Sequence, residues 1–364
     1  MKILQVCPKY YPSIGGVEEC VKNISERLAK EHDVTVFACD PSGKLPKEEK
    51  INRVLVKRFN SFSPGDAYHI SLEMARELKK AEFDIVHGHN YHALPLYFSR
   101  NAKSKRFIVN PYYHGHGHTP VRNFFIRLYK QFGKKILESA DKIIAISNYE
   151  KELLLRDFAI KKDRISVIPP GIDLPPFDNL ATVSRESKTI LYVGRLEEYK
   201  GVQYIIRALP LLDKDFHLEI VGKRPYKAKL VKLIDELGLS NRVRFYQDLP
   251  RQELLKMYAR AGIFILLSRY ESFSIVVAEA LAAKTPCIVA NTSALSEWID
   301  DKNCFGIDYP IDTGKLAELI TDVIGKQVGN VKLWEWDEVV RALSRIYREG
   351  QNSKGAEVTT QSLL

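Results

Sequence analysis

No apolar run in the chain approaches the roughly 18–20 residues needed to cross a bilayer. Ile263 to Leu267 is among the longest, so a membrane-spanning helix is not expected. The five cysteines, Cys7, Cys20, Cys39, Cys287 and Cys304, are scattered and odd in number, and none forms a Cys-x-x-Cys pair. A disulfide framework and a cysteine zinc site are set aside, and a reducing cytoplasm is the expected compartment. There is no Walker loop and no Gly-x-Gly-x-x-Gly fingerprint, and neither an internal repeat nor a low-complexity segment. The N-terminal stretch Met1 to Pro8 is too brief for a signal peptide and reads as the first strand of a sheet.

What remains is the composition of a soluble globular protein: 364 residues, 45% hydrophobic and 27% charged. That length implies two domains. The formal net charge of +10 suits nucleic acid, an anionic membrane or a phosphorylated small substrate, and charge alone does not choose among them.

Strand-like and helix-like segments alternate almost throughout. Val/Ile-rich blocks at residues 2–7, 34–39, 84–89, 107–110, 142–147 and 165–169 predict parallel strands buried on both faces. Between the first two, Val17, Cys20, Val21, Ile24 and Leu28 predict one face of an amphipathic helix. A second series, at 189–193, 217–221, 243–246, 263–268 and 286–290, follows a proline-rich linker. Two such runs imply an α/β protein with two doubly wound, Rossmann-like sheets, whose ligands bind beyond the carboxyl ends of the strands. Residues 334–348 predict a further helix, with Trp336, Val339, Val340, Leu343, Ile346 and Tyr347 on its apolar side. The polar tail 351–364 is expected to be mobile.

Four motifs carry candidate chemistry. In the segment Glu271 to Glu279, Ser274 is a predicted N-cap, which leaves the amides of Ile275 and Val276 for an anion. Glu271 and Glu279 can accept hydrogen bonds from vicinal hydroxyls, although a capped helix with two solvated glutamates has the same spacing. After the strand at 189–193, Arg195 and Lys200 can both reach one diphosphate, or can simply sit in a basic surface loop. Gly15-Gly16 opens the first helix, where a bare backbone can approach a phosphate. Finally, His114, His116 and His118 alternate after the strand at 107–110. They are open to a metal reading, to one histidine contacting substrate, and to exposed loop histidines.

Taken together these motifs resemble glycosyltransferase family 4, the retaining, two-domain GT-B type, over roughly residues 2–348. The resemblance rests on Gly15-Gly16-Val17-Glu18, Ile168-Pro169-Pro170-Gly171-Ile172-Asp173, Val193-Gly194-Arg195 with Lys200-Gly201, and Glu271-x7-Glu279 running into Ala280-Leu281-Ala282. It implies a hexosyltransferase that moves a sugar from a nucleotide-diphosphate donor (a UDP- or GDP-sugar) to a hydroxyl acceptor, without a cofactor or metal ion. Residues 1–172 would form the acceptor-side domain and 173–333 the donor domain, with a central cleft between them. The helix within 334–350 would cross back onto the first domain. Arg195 and Lys200 would hold the donor diphosphate, with amides at Gly16, Ile275 and Val276; Glu279 would bind the ribose and Glu271 the transferred sugar. The family's donor-contacting, catalytic histidine is assigned to His114, two residues after the register that Tyr112 occupies here, and Gly222-Lys223-Arg224-Pro225 lacks a second glycine often found at that turn.

A sugar-nucleotide epimerase shares this architecture, and so do phosphorylases, which carry lysine-bound pyridoxal phosphate in longer chains. The basic balance alone suggests a nucleic-acid binder, but no recognition module accompanies it, and no nucleic-acid partner is expected. Residues 122–142 combine Phe124, Phe125, Leu128, Tyr129 and Phe132 with Arg122, Arg127, Lys130, Lys134, Lys135 and Lys142. They suit a helix docking on an anionic membrane, with a lipid-linked or glycan acceptor on the cytoplasmic face; they equally suit an ordinary helix packed on a sheet.

Overall fold

The computed structural model describes residues 1–64, 68–115, 120–178, 180, 183–223 and 225–349, with backbone alone at 120–128 and 178. The tail 351–364, His116, His118 and Arg224 lie outside the described residues. Two compact units emerge, one formed by Met1–Gly171 with the C-terminal helix, the other by Ile172–Leu333.

The first unit is built on eight strands: β1 (Lys2–Cys7), β2 (Asp33–Asp40), β3 (Glu48–Ile51), β4 (Val54–Asn60), β5 (Glu82–His89), β6 (Lys103–Asn110), β7 (Lys142–Ala145) and β8 (Ile165–Val167). Their order is β3-β4-β2-β1-β5-β6-β7-β8, and β3 alone runs antiparallel to its neighbour. Strands β3 and β4 had not been expected: β3 is a charged edge strand of alternating exposure, and β4 has Lys57 and Arg58 interrupting its apolar residues, so neither carries an unbroken apolar block to announce it. Strand β3 is joined to β4 through Asn52 and Arg53, both at positive φ (46° and 71°), as a tight primed hairpin turn requires.

The second unit holds β9 (Glu186–Val193), β10 (His217–Val221), β11 (Val243–Tyr246), β12 (Ala261–Leu266), β13 (Cys287–Ala290) and β14 (Cys304–Ile307). They pair in parallel in the order β11-β10-β9-β12-β13-β14. All six residues of β12 are buried, as expected of a strand covered on both faces. The chain winds outward from β9 to β11, then returns to β12 on the other side. The order therefore reverses between β9 and β12, and in the first unit between β1 and β5. Loops leaving neighbouring strands at such a point run to opposite faces and open a crevice at the carboxyl edge.

The C-terminal helix Trp336–Arg348 belongs to the first unit. Glu335 and Glu338 close a capping box at its start, and Trp336, Val339, Leu343, Ile346 and Tyr347 are buried, at roughly 1.5–3 kcal/mol each. Arg27, on the helix Gly16–Leu28, pairs with Asp337 at 3.1 Å. A ladder of buried polar groups continues into the sheet. Gln5 Nε2 donates to Tyr347 Oη at 3.4 Å, leaving the phenol hydrogen for His87 Nδ1 at 2.7 Å. His89 Nε2 donates to Gln5 Oε1 at 2.7 Å.

Burial pushes His87 down to about 3, and burial together with His87 holds His89 well below the usual imidazole range. Both are neutral in the folded chain, whereas the unfolded chain takes up protons below pH ~6.5. Their contribution to stability is complete above that pH and is lost as pH falls toward 3. We expect His87→Gln to shed the His87 share of this dependence. Between pH 7 and pH 5, the loss of unfolding free energy in urea titrations should be about 2 kcal/mol smaller than in the wild type. Equal losses in the two proteins would refute the assignment, and the comparison cancels the carboxylates that titrate in both.

Candidate active site

The loops that leave β9 and β12 carry Arg195, Lys200 and Glu271, charged candidates of the second unit. Strand β9 ends at Val193, and the loop that follows is folded tightly. The Tyr192 hydroxyl donates to the Arg195 carbonyl at 2.9 Å, and residues Glu198–Lys200 form a 3-10 turn. Gly201 sits at φ +78°, and a Cβ there would lie 2.3 Å from the Leu267 carbonyl oxygen just beyond β12. Only glycine combines that dihedral with that approach. The Arg269 N–H donates to the Tyr199 carbonyl at 2.8 Å, a second tie between the two loops.

These ties set Lys200 beside Glu271. The ammonium meets Oε1 at 2.5 Å, with the side chains only 12% and 16% exposed. Burial pushes the Lys200 pKa down, but the Glu271 carboxylate more than offsets it and holds the pKa above the usual range. Arg195 reaches Tyr199 Oη at 2.7 Å and Glu197 at 3.2 Å, with its side chain half exposed. The Glu271 N–H is held in turn by Ser293 Oγ at 3.0 Å.

The helix Ile275–Ala282 follows. Ser274 occupies the N-cap position but does not cap: at φ 90°, ψ 85° it is outside the extended region from which a side chain turns back to the first amides. Its hydroxyl is buried and makes no hydrogen bond among the described residues. This corrects the expected capping role. The first carbonyl, that of Ser274, accepts from Ala278 N–H, so among the described residues the amides of Ile275 and Val276 have no acceptor within the helix. Glu279 is buried, accepts from Tyr258 Oη at 3.0 Å and pairs with Arg251 at 2.5 Å. The two glutamates are therefore not a solvated pair; each is paired within the protein, Glu271 with Lys200 and Glu279 with the buried Tyr258 and the more exposed Arg251. Arg251 and Tyr258 share one face of the helix Arg251–Arg260, seven residues apart, and nothing local to the Glu271 segment points to them.

In the first unit, Gly15 is extended (φ −176°) at the head of the helix Gly16–Leu28. A Cβ on Gly16 would meet nothing within 4 Å, so the backbone there is open to approach. The loop after β6 carries Tyr112 at φ +50°, with its hydroxyl 3.4 Å from His89 Nδ1, and His114, whose ring stacks on His92 at 4.5 Å. Glu150, fully buried, anchors this loop by accepting from Tyr113 N–H (2.5 Å) and Ile146 N–H (2.7 Å). Burial pushes its carboxyl up to about 8 against those amides. Neither His92 nor Glu150 had drawn attention in the sequence, where both look like ordinary loop and helix residues. A small crevice beneath Tyr112, bounded by Cys20, Ile24, Pro169, Trp336 and Leu343, is apolar and holds none of the charged candidates.

Two family profiles match this chain: "Glycosyltransferase Family 4" over residues 14–175 and "Glycosyl transferases group 1" over 181–333. The chain belongs to glycosyltransferase family 4. It is 28% identical to an uncharacterized glycosyltransferase of Methanocaldococcus jannaschii, across 98% of this chain and 100% of that one. It is 27% identical to the GDP-mannose:cellobiosyl-diphosphopolyprenol alpha-mannosyltransferase of Xanthomonas oryzae pv. oryzae, across 78% of this chain and 77% of the relative. Among solved structures, Anabaena HepE in complex with UDP-glucose superposes with a TM-score of 0.75 at 18% identity, covering 95% of this chain and 99% of that one. The fold is thus GT-B and the activity is glycosyl transfer. In this glycosyltransferase the basic pair, Glu271 and the open helix start adjoin one switch point.

Gly201→Ala tests how far that arrangement depends on one close approach. Strain at positive φ and the clash with Leu267 together should cost about 1–3 kcal/mol, read as a lower urea midpoint at unchanged m-value. A midpoint equal to that of the wild type would show that the two loops are not pressed together there.

Proposed function

We propose that this glycosyltransferase is a retaining, metal-independent hexosyltransferase using a nucleotide-diphosphate sugar. Residues 173–333 act as the donor domain and 1–172 as the acceptor-side domain. The observation that carries the proposal is the meeting of Lys200 and Glu271 from the loops beyond β9 and β12, with Arg195 on the first loop and the uncapped start of the helix Ile275–Ala282 just after the second. Two cations and a helix start neutralise a leaving diphosphate directly, the task a divalent ion performs elsewhere. Glu271 then receives hydroxyls of the transferred sugar and Glu279 those of the ribose, while Gly15 and Gly16 offer backbone from the first domain. His114 contacts the donor sugar, with Tyr112 beside it. GDP-mannose in the name of the Xanthomonas relative and UDP-glucose in the HepE complex support a GDP- or UDP-sugar. Retention of configuration rests on the family resemblance.

Turnover of UDP- and GDP-sugars, followed as nucleoside diphosphate release, tests this reading. Arg195→Ala and Lys200→Ala should each lower kcat/KM by about 10²–10³, and Glu271→Ala should lower kcat more than it raises KM. Activity should persist in EDTA, and NMR should show an unchanged anomeric configuration in the product. Near-normal turnover by Lys200→Ala would remove the donor-site assignment.

For the acceptor we propose a glycan or lipid-linked sugar met at the cytoplasmic membrane face. Among the described residues no helix is long and apolar enough to cross a membrane. The helix Pro120–Ser139 presents Phe132, 57% exposed, next to the exposed Lys135. Within it Lys130 pairs with Asp157 at 2.9 Å and Lys134 with Glu138 at 3.7 Å, so its net positive charge is smaller than a count of lysines suggests. The side chains of Arg122, Phe124, Phe125, Arg127 and Leu128 lie outside the described residues. Sedimentation with vesicles should show salt-sensitive binding to anionic lipid only, weakened by Lys135→Glu. Indifference to anionic vesicles at low salt would favour a soluble acceptor.

A further inference from the structure

The two cations of the donor site are held by one side chain that no motif singles out. Tyr199 lies between them in sequence and touches both. Its hydroxyl accepts from Arg195 Nη2 at 2.7 Å, and its ring face lies 5.2 Å from Lys200 Nζ, within range of a cation–π contact. Tyr199 is not itself free to wander: its carbonyl accepts from Arg269 N–H at 2.8 Å, and its ring neighbours that of Tyr270 at 6.5 Å. Lys200 has a second anchor in Glu271. Among the described residues, Arg195, half exposed, has Glu197 at 3.2 Å as its one ion-pair partner besides the phenol. A long, half-exposed arginine on a loop samples many rotamers, and one fixed acceptor removes most of them while leaving further N–H donors for a ligand.

We propose that Tyr199 is a positioning residue, fixing the guanidinium of Arg195 and the ammonium of Lys200 at the spacing that grips a nucleoside diphosphate. The proposal rests on the donor-site reading above. It predicts a division of labour within one side chain: the hydroxyl serves Arg195 and the ring serves Lys200. Because the grip is on the diphosphate, loss of Tyr199 should be felt by diphosphates and not by monophosphates.

The test is calorimetric titration of the full chain with UDP, GDP and ADP, and with UMP, GMP and AMP as monophosphate counterparts. Tyr199→Phe, which keeps the ring and removes the hydroxyl, should weaken the diphosphate that binds by about tenfold and leave its monophosphate unchanged. In an Arg195→Ala background the same change should have less than a twofold effect; in Lys200→Ala it should keep its full effect. Tyr199→Leu should weaken diphosphate binding further, and that extra loss should vanish in Lys200→Ala. Equal weakening of mono- and diphosphate, or an undiminished effect in Arg195→Ala, would overturn the proposal in favour of a packing role. If Arg195→Ala and Lys200→Ala bind like wild type, or no diphosphate binds wild type, the donor-site reading falls with it. If those two variants weaken binding and Tyr199→Phe does not, the positioning role alone is refuted.

Discussion

Parallel strands cannot be joined by a tight turn, and each connection must climb over a face of the sheet before re-entering it. Both units of this glycosyltransferase obey that constraint by winding outward from a first strand and then back past it. The result is one place in each sheet, β9 beside β12 and β1 beside β5, where neighbouring strands send their loops apart. In the second unit the loops from this place are not left open. Gly201 abuts Leu267, the Tyr199 carbonyl takes the Arg269 amide, and Lys200 meets Glu271. Residues seventy positions apart become neighbours because the winding rule leaves their strands adjacent.

Charge follows from that adjacency. Removing an ammonium and a carboxylate from water is costly for each ion alone, and their attraction offsets the cost only when both are held in good geometry. Lys200 and Glu271 satisfy that condition, and the lysine remains charged despite its burial. Glu279 reaches the same end with different partners, Arg251 and Tyr258. On the proposed reading, an entering diphosphate meets cations already partly stripped of water and aimed, so little reorganisation is left for the reacting complex.

Two expectations changed on contact with the structure. Ser274 is of a residue type that favours an N-cap and precedes an apolar run, yet its backbone is left-handed and its buried hydroxyl makes no cap. The strands β3, β4 and β14 were not foreseen. The first is polar and half exposed, the second has Lys57 and Arg58 interrupting its apolar residues, and the third is four residues containing a glycine, so none carries an unbroken buried apolar block long enough to register.

Apolar periodicity was enough to determine the α/β class, the main strands and the C-terminal helix with its buried Trp336, Leu343 and Tyr347. These depend on local alternation of polarity, which sequence carries directly. Motif order was enough to single out Arg195, Lys200, Glu271 and Glu279 as residues to watch. Which of them pair was decided only by tertiary structure. The partners of Glu279 come from a helix more than twenty residues upstream, the anchor of the Tyr113 loop is Glu150 on a later helix, and Tyr199 gains its meaning from the atoms on either side of it. Such contacts depend on how the strands are ordered and how closely their loops approach. Both are set by packing across the whole sheet, and no local window of sequence contains that information.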